Sequence, residues 1–202
     1  LNAILQEAAA ALRRYFDVMD EAPAIREAPG AHPLTVTAGA IRFAGVHFRY
    51  RPDAPALEGI DLAVAPGSVT ALVGRSGSGK SSLLNLVPRL YDVTGGAVTI
   101  DGQDVRAVTL ASLRAAVAVV SQEVVLFDDT IAANIGFGRP GATRAEIEAA
   151  ARAAAAHGFV TAQPEGYEFR VGPGGGRLSG GERQRVALAR AFLKDAPILL
   201  LD

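Results

Sequence analysis

The sequence has no cysteine, and its 20 basic and 21 acidic side chains nearly cancel to a formal net charge of −1. Without cysteine there is no disulfide framework, no thiolate zinc site and no cysteine nucleophile. The balanced charge gives no electrostatic footprint for nucleic acid, which would show as an excess of lysine and arginine. No apolar run approaches the ~20 residues of a bilayer-spanning helix, and no signal peptide is visible.

The length of 202 residues suits one sizeable α/β domain or two small lobes. The sequence starts with Leu1 rather than methionine and stops at Asp202, directly after an apolar run. We therefore expect the chain to be a piece of a longer protein.

Residues 74 to 81, Gly-Arg-Ser-Gly-Ser-Gly-Lys-Ser, match the phosphate-loop pattern G-x-x-x-x-G-K-S/T. The three glycines allow turns closed to residues with a Cβ, so that successive N–H groups can face an anion. Lys80 brings a positive charge to the β- and γ-phosphates, and the Ser81 hydroxyl can ligate Mg²⁺. The predicted nucleotide-binding residues here are Gly74, Arg75, Ser76, Gly77, Ser78, Gly79, Lys80, Ser81 and Ser82.

The segments on either side of this loop provide the setting that the motif requires. Ser68–Val73 is short, apolar and β-branched and predicts a buried strand, whereas Ser82–Val87 predicts a helix. The alternative is a glycine-rich turn of an α/β fold that binds nothing.

The rest of the chain alternates predicted strands and helices. An apolar stripe predicts a helix over Leu1–Asp20, at Leu1, Ile4, Leu5, Ala8, Leu12, Phe16 and Met19. A linker rich in proline and glycine follows. The other predicted strands are 41–50 with a break at Gly45, 57–64, 97–100, 117–120 and 198–201. The other predicted helices are 110–115, 130–135, 143–156 and 179–193, the last two opened by S/T-x-x-E capping boxes.

Two further patterns bear on chemistry. Ile198–Asp202 is a predicted fully buried strand with a carboxylate at its carboxyl end, where open α/β sheets bind ligands and where an aspartate can hold Mg²⁺ through water. Leu178–Glu182, Leu-Ser-Gly-Gly-Glu, precedes a long helix. It is either only a well-capped helix start or also an anion site, since its glycines expose N–H groups at a positive helix end.

Taken in order, these motifs resemble the nucleotide-binding domain of ABC transporters, of the exporter type fused behind its own membrane domain. Gly74–Ser81 matches Walker A, Gln122 the Q-loop, Leu178–Glu182 the signature with Glu for the commoner Gln, Ile198–Asp202 Walker B, and Tyr50 the A-loop aromatic. The resemblance implies an α/β P-loop NTPase fold with a RecA-like core. It also implies a small antiparallel β lobe near 40–70 and 95–105, and an α-helical lobe over about 123–190.

The resemblance also implies ATP and Mg²⁺ as cofactors and a head-to-tail dimer of two such domains. Tyr50 would stack on adenine, and Ser179, Gly180 and Gly181 would bind the γ-phosphate held by the partner. The implied catalytic residues are Lys80 and Gln122, and the implied metal-binding residues are Ser81, Gln122 and Asp202. The intact protein would be an ATP-hydrolysing exporter of an unidentified substrate, at the cytoplasmic face of the inner (plasma) membrane. Residues 1–39 would connect the last transmembrane helix to the nucleotide-binding domain of residues 40–202.

Two departures from the family pattern accompany this resemblance. Pro173 stands where exporters usually carry an acidic residue that contacts the membrane domain. The catalytic glutamate, D-loop and switch histidine expected after Asp202 are not in the sequence, so we expect the fragment to bind ATP without hydrolysing it. Three alternatives stay open: a stand-alone importer ATPase, an ABC-type ATPase acting on DNA or ribosomes, and a nucleotide-binding module without catalysis.

Overall fold

A computed structural model describes the backbone of residues 2–202 and the side chains of residues 6, 7 and 9–202. The helices are α1 (Asn2–Met19), α2 (Lys80–Leu86), α3 (Leu110–Ala115), α4 (Ile131–Gly136), α5 (Arg144–Ala153), α6 (His157–Thr161) and α7 (Gly180–Lys194). The strands are β1 (Ile41–Arg51), β2 (Ala54–Val64), β3 (Gly95–Ile100), β4 (Gln103–Asp104), β5 (Val117–Val120) and β6 (Ile198–Leu201). None of the helices in the described part of the chain is long and apolar enough to cross a bilayer.

The first lobe is a four-stranded antiparallel sheet in the order β2-β1-β3-β4. Ile41 and Phe43 lie on the buried face of β1. Val46 and Phe48 are buried as well, beyond a shift in the pairing register between Phe43 and Val46. The predicted break at Gly45 is confirmed as a β-bulge, where φ is 53°. The buried face packs with apolar side chains of α2 and α3 in one core, so the sheet supports the start of α2.

The second sheet is the parallel pair β5–β6, in register with Val120 opposite Leu201. The Asp202 N–H donates to the carbonyl oxygen of Val120 at 2.9 Å and continues the ladder by one bond. Parallel strands end at the same edge, so Gln122 after β5 and Asp202 after β6 leave the sheet on one side.

One predicted strand is wrong, and one is less buried than predicted. Ser68–Val73 is not a strand, and Val69 and Val73 are fully exposed. The physical reason is that a strand needs a hydrogen-bonded neighbour, and none in the described residues pairs with this segment. β6 forms as predicted, but it has a neighbour on one edge only, and Leu199 and Leu201 are exposed.

Helices α4 to α7 form a second lobe with its own core. Both predicted capping boxes are present: Thr143 with Glu146 opens α5, and Ser179 with Glu182 opens α7. The caps fix α5 and α7 locally, which is why their predicted bounds agree with the observed ones within a few residues, whereas the short helix α6 was not predicted.

The segment before β1 is bound to the first lobe. The Asp101 carboxylate accepts hydrogen bonds from four consecutive backbone N–H groups, those of residues 37 to 40, at 2.8–3.0 Å. These donors, with the N–H of Ala38 the strongest, hold the pKa of Asp101 well below its usual value. Gln103 exchanges two hydrogen bonds with the backbone of Thr35. The predicted linker is therefore fixed on the sheet over these residues.

Helix α1 confirms the helical periodicity predicted for the start of the chain. Its described apolar side chains Leu12, Phe16 and Met19 are exposed rather than packed on the domain. The other members of the predicted stripe, Leu1, Ile4, Leu5 and Ala8, lie outside the described side chains.

Candidate nucleotide-binding site

The glycines of the phosphate loop occupy positions that a larger residue could not take. Gly77 and Gly79 have φ values of 77° and 87°, a region that residues with a Cβ rarely adopt. A Cβ on Gly74 would lie 2.6 Å from the Ser78 hydroxyl oxygen, and one on Gly79 would lie 2.8 Å from the Ala56 carbonyl oxygen. The loop of residues 74–79 is therefore compact, and it leads directly into α2.

Lys80, the first residue of α2, places its ammonium group inside this loop. Its Nζ donates to the carbonyl oxygens of Gly74 at 3.0 Å and Arg75 at 2.9 Å, and lies 3.4 Å from the Ser78 hydroxyl. The loop holds a positive charge where the pattern predicts a phosphate, and Ser76 and Gly77 remain exposed at the turn.

Ser81 and Asp202 meet although they lie 121 residues apart in the sequence. The Ser81 hydroxyl donates to Oδ1 of Asp202 at 2.8 Å. The contact exists because β6 ends beside the start of α2. Both groups are hard oxygen donors of the kind that Mg²⁺ prefers, and Mg²⁺ usually takes one or two protein ligands with phosphate and water oxygens completing its shell. The donor set therefore fits the predicted ion.

Tyr50, near the end of β1, lies over the other side of α2. Its hydroxyl and that of Ser82 are hydrogen-bonded at 3.0 Å, and its ring is half exposed. Phe48 and Tyr91 pack perpendicular to this ring, with centroids at 4.7 Å and 5.1 Å. The sequence did not predict Tyr91, because an aromatic residue in the turn after α2 belongs to none of the motifs described above.

Gln122 lies in the segment directly after β5. It is exposed and lines a cavity of about 710 Å³ together with Glu123, Val124, Gly174, Gly180, Arg183 and Gln184. Within the described residues no hydrogen bond joins Gln122 to the phosphate loop. The structure thus places Gln122 beside the start of α7.

The signature residues are exposed at the amino end of α7. The Ser179 N–H donates to a Glu182 carboxylate oxygen at 2.7 Å, and the Ser179 hydroxyl oxygen accepts from the Glu182 N–H at 3.3 Å. The first of these bonds lowers the pKa of Glu182 below its usual value. The N–H groups of Gly180 and Gly181 lie in the first turn, where helix N–H groups have no partner within the helix. The predicted capped helix start is therefore confirmed, with its anion role left as a prediction.

Comparison with known proteins agrees with this arrangement of motifs. The family model described as "ABC transporter" matches residues 57–202. The chain belongs to the ABC transporter family.

This ABC domain has similar relatives among exporters. It is 47% identical to an ATP-dependent lipid A-core flippase of Chromohalobacter salexigens, over 100% of this chain and 35% of that protein. It is 48% identical to a heavy metal tolerance protein of Schizosaccharomyces pombe, over 98% of this chain and 24% of that protein. It is 49% identical to ATP-binding cassette sub-family B member 6 of Homo sapiens, over 95% of this chain and 23% of that protein.

A solved structure of a bacterial Atm1-family ABC exporter with ATP bound is 45% identical and superimposes with a TM-score of 0.94. The match covers 98% of this chain and 34% of that one. The fold class is therefore confirmed: this is an exporter-type ABC nucleotide-binding domain of mixed α/β structure. The chain spans about a quarter to a third of the length of the curated relatives it matches.

Proposed function

We propose that this domain binds MgATP and that, in the intact protein, it hydrolyses ATP to power export of a substrate across a membrane. The contact between Ser81 and Asp202 supports this proposal most strongly. It joins two of the three predicted metal ligands at 2.8 Å, at the start of the helix whose first residue is Lys80. If the glycine turn bound nothing, the pairing of the Ser81 hydroxyl with the Asp202 carboxylate, 121 residues away in the sequence, would have no role at this site.

The roles of the site residues follow from their positions. Lys80 donates to loop carbonyls in this structure and would exchange them for the β- and γ-phosphates of ATP. Ser81 and Asp202 would hold Mg²⁺, which would supply positive charge to stabilise the charge that develops during phosphoryl transfer. Tyr50, half exposed above α2, offers a ring face for the adenine. These residues bind and orient the nucleotide, and such positioning supplies most of phosphoryl-transfer catalysis.

The second half of the nucleotide site would come from a partner domain in a head-to-tail dimer. Ser179, Gly180 and Gly181 are exposed at the positive end of a 15-residue helix, an arrangement that favours binding of an anion. In the described chain no hydrogen bond joins them to the phosphate loop, which is consistent with an anion supplied by another molecule. They would bind the γ-phosphate held by the partner's Lys80.

The membrane domain of the same polypeptide would be the other partner. Gln122 would couple the nucleotide site to it from the cavity that it shares with Gly174 and Gly180. The exposed ring pair Phe127–Phe137, with centroids 4.8 Å apart, suits an apolar contact with that domain. Pro173 has no carboxylate, so the acidic contact that exporters usually make with the membrane domain at this position would be missing.

Residues 1–39 would connect to the last transmembrane helix, and the domain of residues 40–202 would lie on the cytoplasmic face of the membrane. The names of the relatives, a flippase and an exporter among them, favour export over the alternative of a stand-alone importer ATPase.

The chain offers a matched pair of lysines for a test, because Lys80 and Lys194 are its only two. Lys194 also donates to two backbone carbonyl oxygens, those of Arg114 and Val117, but outside the phosphate loop. Lys80→Ala should weaken MgATP binding at least about tenfold, as expected for a charge-assisted hydrogen bond to phosphate, whereas Lys194→Ala should change only stability. Isothermal titration calorimetry measures both. Equal affinities of Lys80→Ala and the unmodified chain would contradict nucleotide binding at this loop.

A further inference from the structure

Tyr50 belongs to a cluster of three aromatic rings. The Tyr50 and Tyr91 rings are perpendicular, at 87° with centroids 5.1 Å apart, and Phe48 contacts both, at 4.7 Å from Tyr50 and 5.5 Å from Tyr91. Phe48 is buried, whereas Tyr50 and Tyr91 are each about half exposed. Because half of the Tyr50 surface stays exposed beside these two rings, part of the Tyr50 ring is accessible to a ligand.

The side chain of Arg89 holds the turn that carries Tyr91 in place. Arg89 is buried, and its guanidinium donates to both carboxylate oxygens of Asp92 at 2.6 Å and 3.1 Å. The Arg89 guanidinium also donates to the carbonyl oxygen of Arg26, in the segment before β1, at 3.0 Å. The Arg114 guanidinium in turn donates to the backbone carbonyl oxygen of Arg89 at 3.3 Å. Arg89 has a φ of 52°, a backbone conformation that non-glycine residues keep only when surrounding contacts impose it. Tyr91 is thus presented on a fixed turn.

We propose that Tyr91 is a positioning residue for the nucleotide site, which fixes the plane of the Tyr50 ring before adenine binds. The inference rests on the proposed stacking role of Tyr50. Tyr50 is the penultimate residue of β1, and the hydroxyl bond to Ser82 holds only the tip of its ring. Tyr91 restrains rotation of the ring about that axis. Binding to a ring already in place loses less conformational entropy, so the affinity for ATP increases without a new contact to the ligand.

The test is a double-mutant cycle on MgATP affinity with the variants Tyr50→Ala, Tyr91→Ala and their combination. Tyr91→Ala should weaken binding about two- to tenfold, the effect expected for loss of one aromatic pair, and should have no further effect in the Tyr50→Ala background. Tyr91→Phe should restore the affinity, because the Tyr91 hydroxyl makes no hydrogen bond in the described chain. Leu90→Ala is the matched control, since Leu90 is the exposed neighbour in the same turn and belongs to no aromatic pair.

Each other outcome overturns the proposal in a distinguishable way. An equal loss in both backgrounds would mean that Tyr91 contacts the nucleotide itself or supports the fold. No loss with Tyr91→Ala, while Tyr50→Ala weakens binding, would refute only the positioning role. No loss with Tyr50→Ala would refute the stacking on which the inference rests.

A spectroscopic measurement tests the positioning without ligand. The chain has no tryptophan, so Tyr50→Trp introduces a single reporter at this position. Its time-resolved fluorescence anisotropy should show more nanosecond motion when Tyr91→Ala is added, and no change when Leu90→Ala is added. Unchanged motion in the first case would show that Tyr91 does not restrain residue 50.

Discussion

Asp101 stabilises the first lobe through one side chain. Its carboxylate accepts hydrogen bonds from four backbone N–H groups of the segment before β1, so that segment cannot leave the sheet without losing these charge-assisted bonds. Asp101 also has a φ of 48°, the left-handed region in which aspartate and asparagine are the most common residues other than glycine. Asparagine therefore removes the charge here without adding backbone strain.

We expect Asp101→Asn to lower the free energy of unfolding by about 1–2 kcal/mol at pH 7, because it loses charge-assisted hydrogen bonds. The folded-state pKa of Asp101 is depressed below the ordinary aspartate pKa of about 4, so its contribution is complete above that value. As the pH falls below about 4, the unfolded state takes up the proton first and the contribution declines. Urea unfolding at pH 7, 5 and 3 should therefore show a difference between the two proteins that narrows only at pH 3.

Asp53→Asn is the matched control for this experiment, since Asp53 lies exposed in the β1–β2 turn. Its free energy of unfolding should follow that of the unmodified chain throughout. A difference between Asp101→Asn and the unmodified chain that is the same at all three pH values would contradict the proposed ionic origin.

At the residue scale, the sequence predicted the phosphate loop well, because its glycines and lysine act through local backbone geometry. It also predicted Ser81 and Asp202 as neighbours, since strand ends converge at one edge of an α/β sheet. Tyr91 and Asp101 escaped prediction. Their partners, Tyr50 and the backbone of residues 37–40, lie 41 and more than 60 residues away, and no short motif records such contacts.

At the scale of elements, helices α5 and α7 begin in the same way but differ in proposed role. Thr143 and Ser179 each cap their helix by accepting a hydrogen bond from the N–H three residues later. Only the α7 terminus has glycines in its first turn, which leave its N–H groups open to a ligand. A comparison of the two helices therefore distinguishes the effect of capping from the effect of anion binding within one chain.

Thr143→Ala and Ser179→Ala should each cost about 1 kcal/mol of stability through loss of an N-cap, visible as similar decreases in thermal unfolding temperature. Only Ser179→Ala should weaken the association of two domains in the presence of MgATP, because only Ser179 is proposed to meet the partner's nucleotide. Analytical ultracentrifugation with and without MgATP measures that association. An equal reduction by both variants would assign the effect to helix stability and remove Ser179 from the nucleotide site.

Helices and hairpins were also the elements predicted best, since their periodicity, turns and caps are local. The segment Ser68–Val73 has strand composition, yet it stays unpaired and exposed in the described chain. Strand formation depends on a neighbour that is distant in sequence. Composition predicts which segments can be strands, but pairing decides which of them are.

At the scale of the whole molecule, the described residues form two large cores and one small apolar cluster between β5 and α7. One core supports the sheet and the start of α2, and the other supports α4 to α7. The phosphate loop and Tyr50 belong to the first lobe, and the signature helix belongs to the second. The family resemblance implied a small antiparallel β lobe and an α-helical lobe, together with a RecA-like core. The position of Gln122 beside Gly180 at the start of α7 was not predictable from motif order, which gives no distances between elements.

The last prediction concerns turnover: the 202-residue chain should bind MgATP without hydrolysing it. Hydrolysis requires a group that positions and polarises a water molecule behind the γ-phosphate. Within the described residues, Asp202 is the only carboxylate hydrogen-bonded to the phosphate-loop motif, and as a proposed metal ligand it is not free to accept a proton. Gln122 is a neutral amide and a poor general base. Phosphate release from MgATP should therefore equal that of Lys80→Ala, while calorimetry still detects binding by the unmodified chain. Turnover that Lys80→Ala abolishes would show that another residue of these 202 activates the water, and Gln122→Ala would then be the first variant to examine.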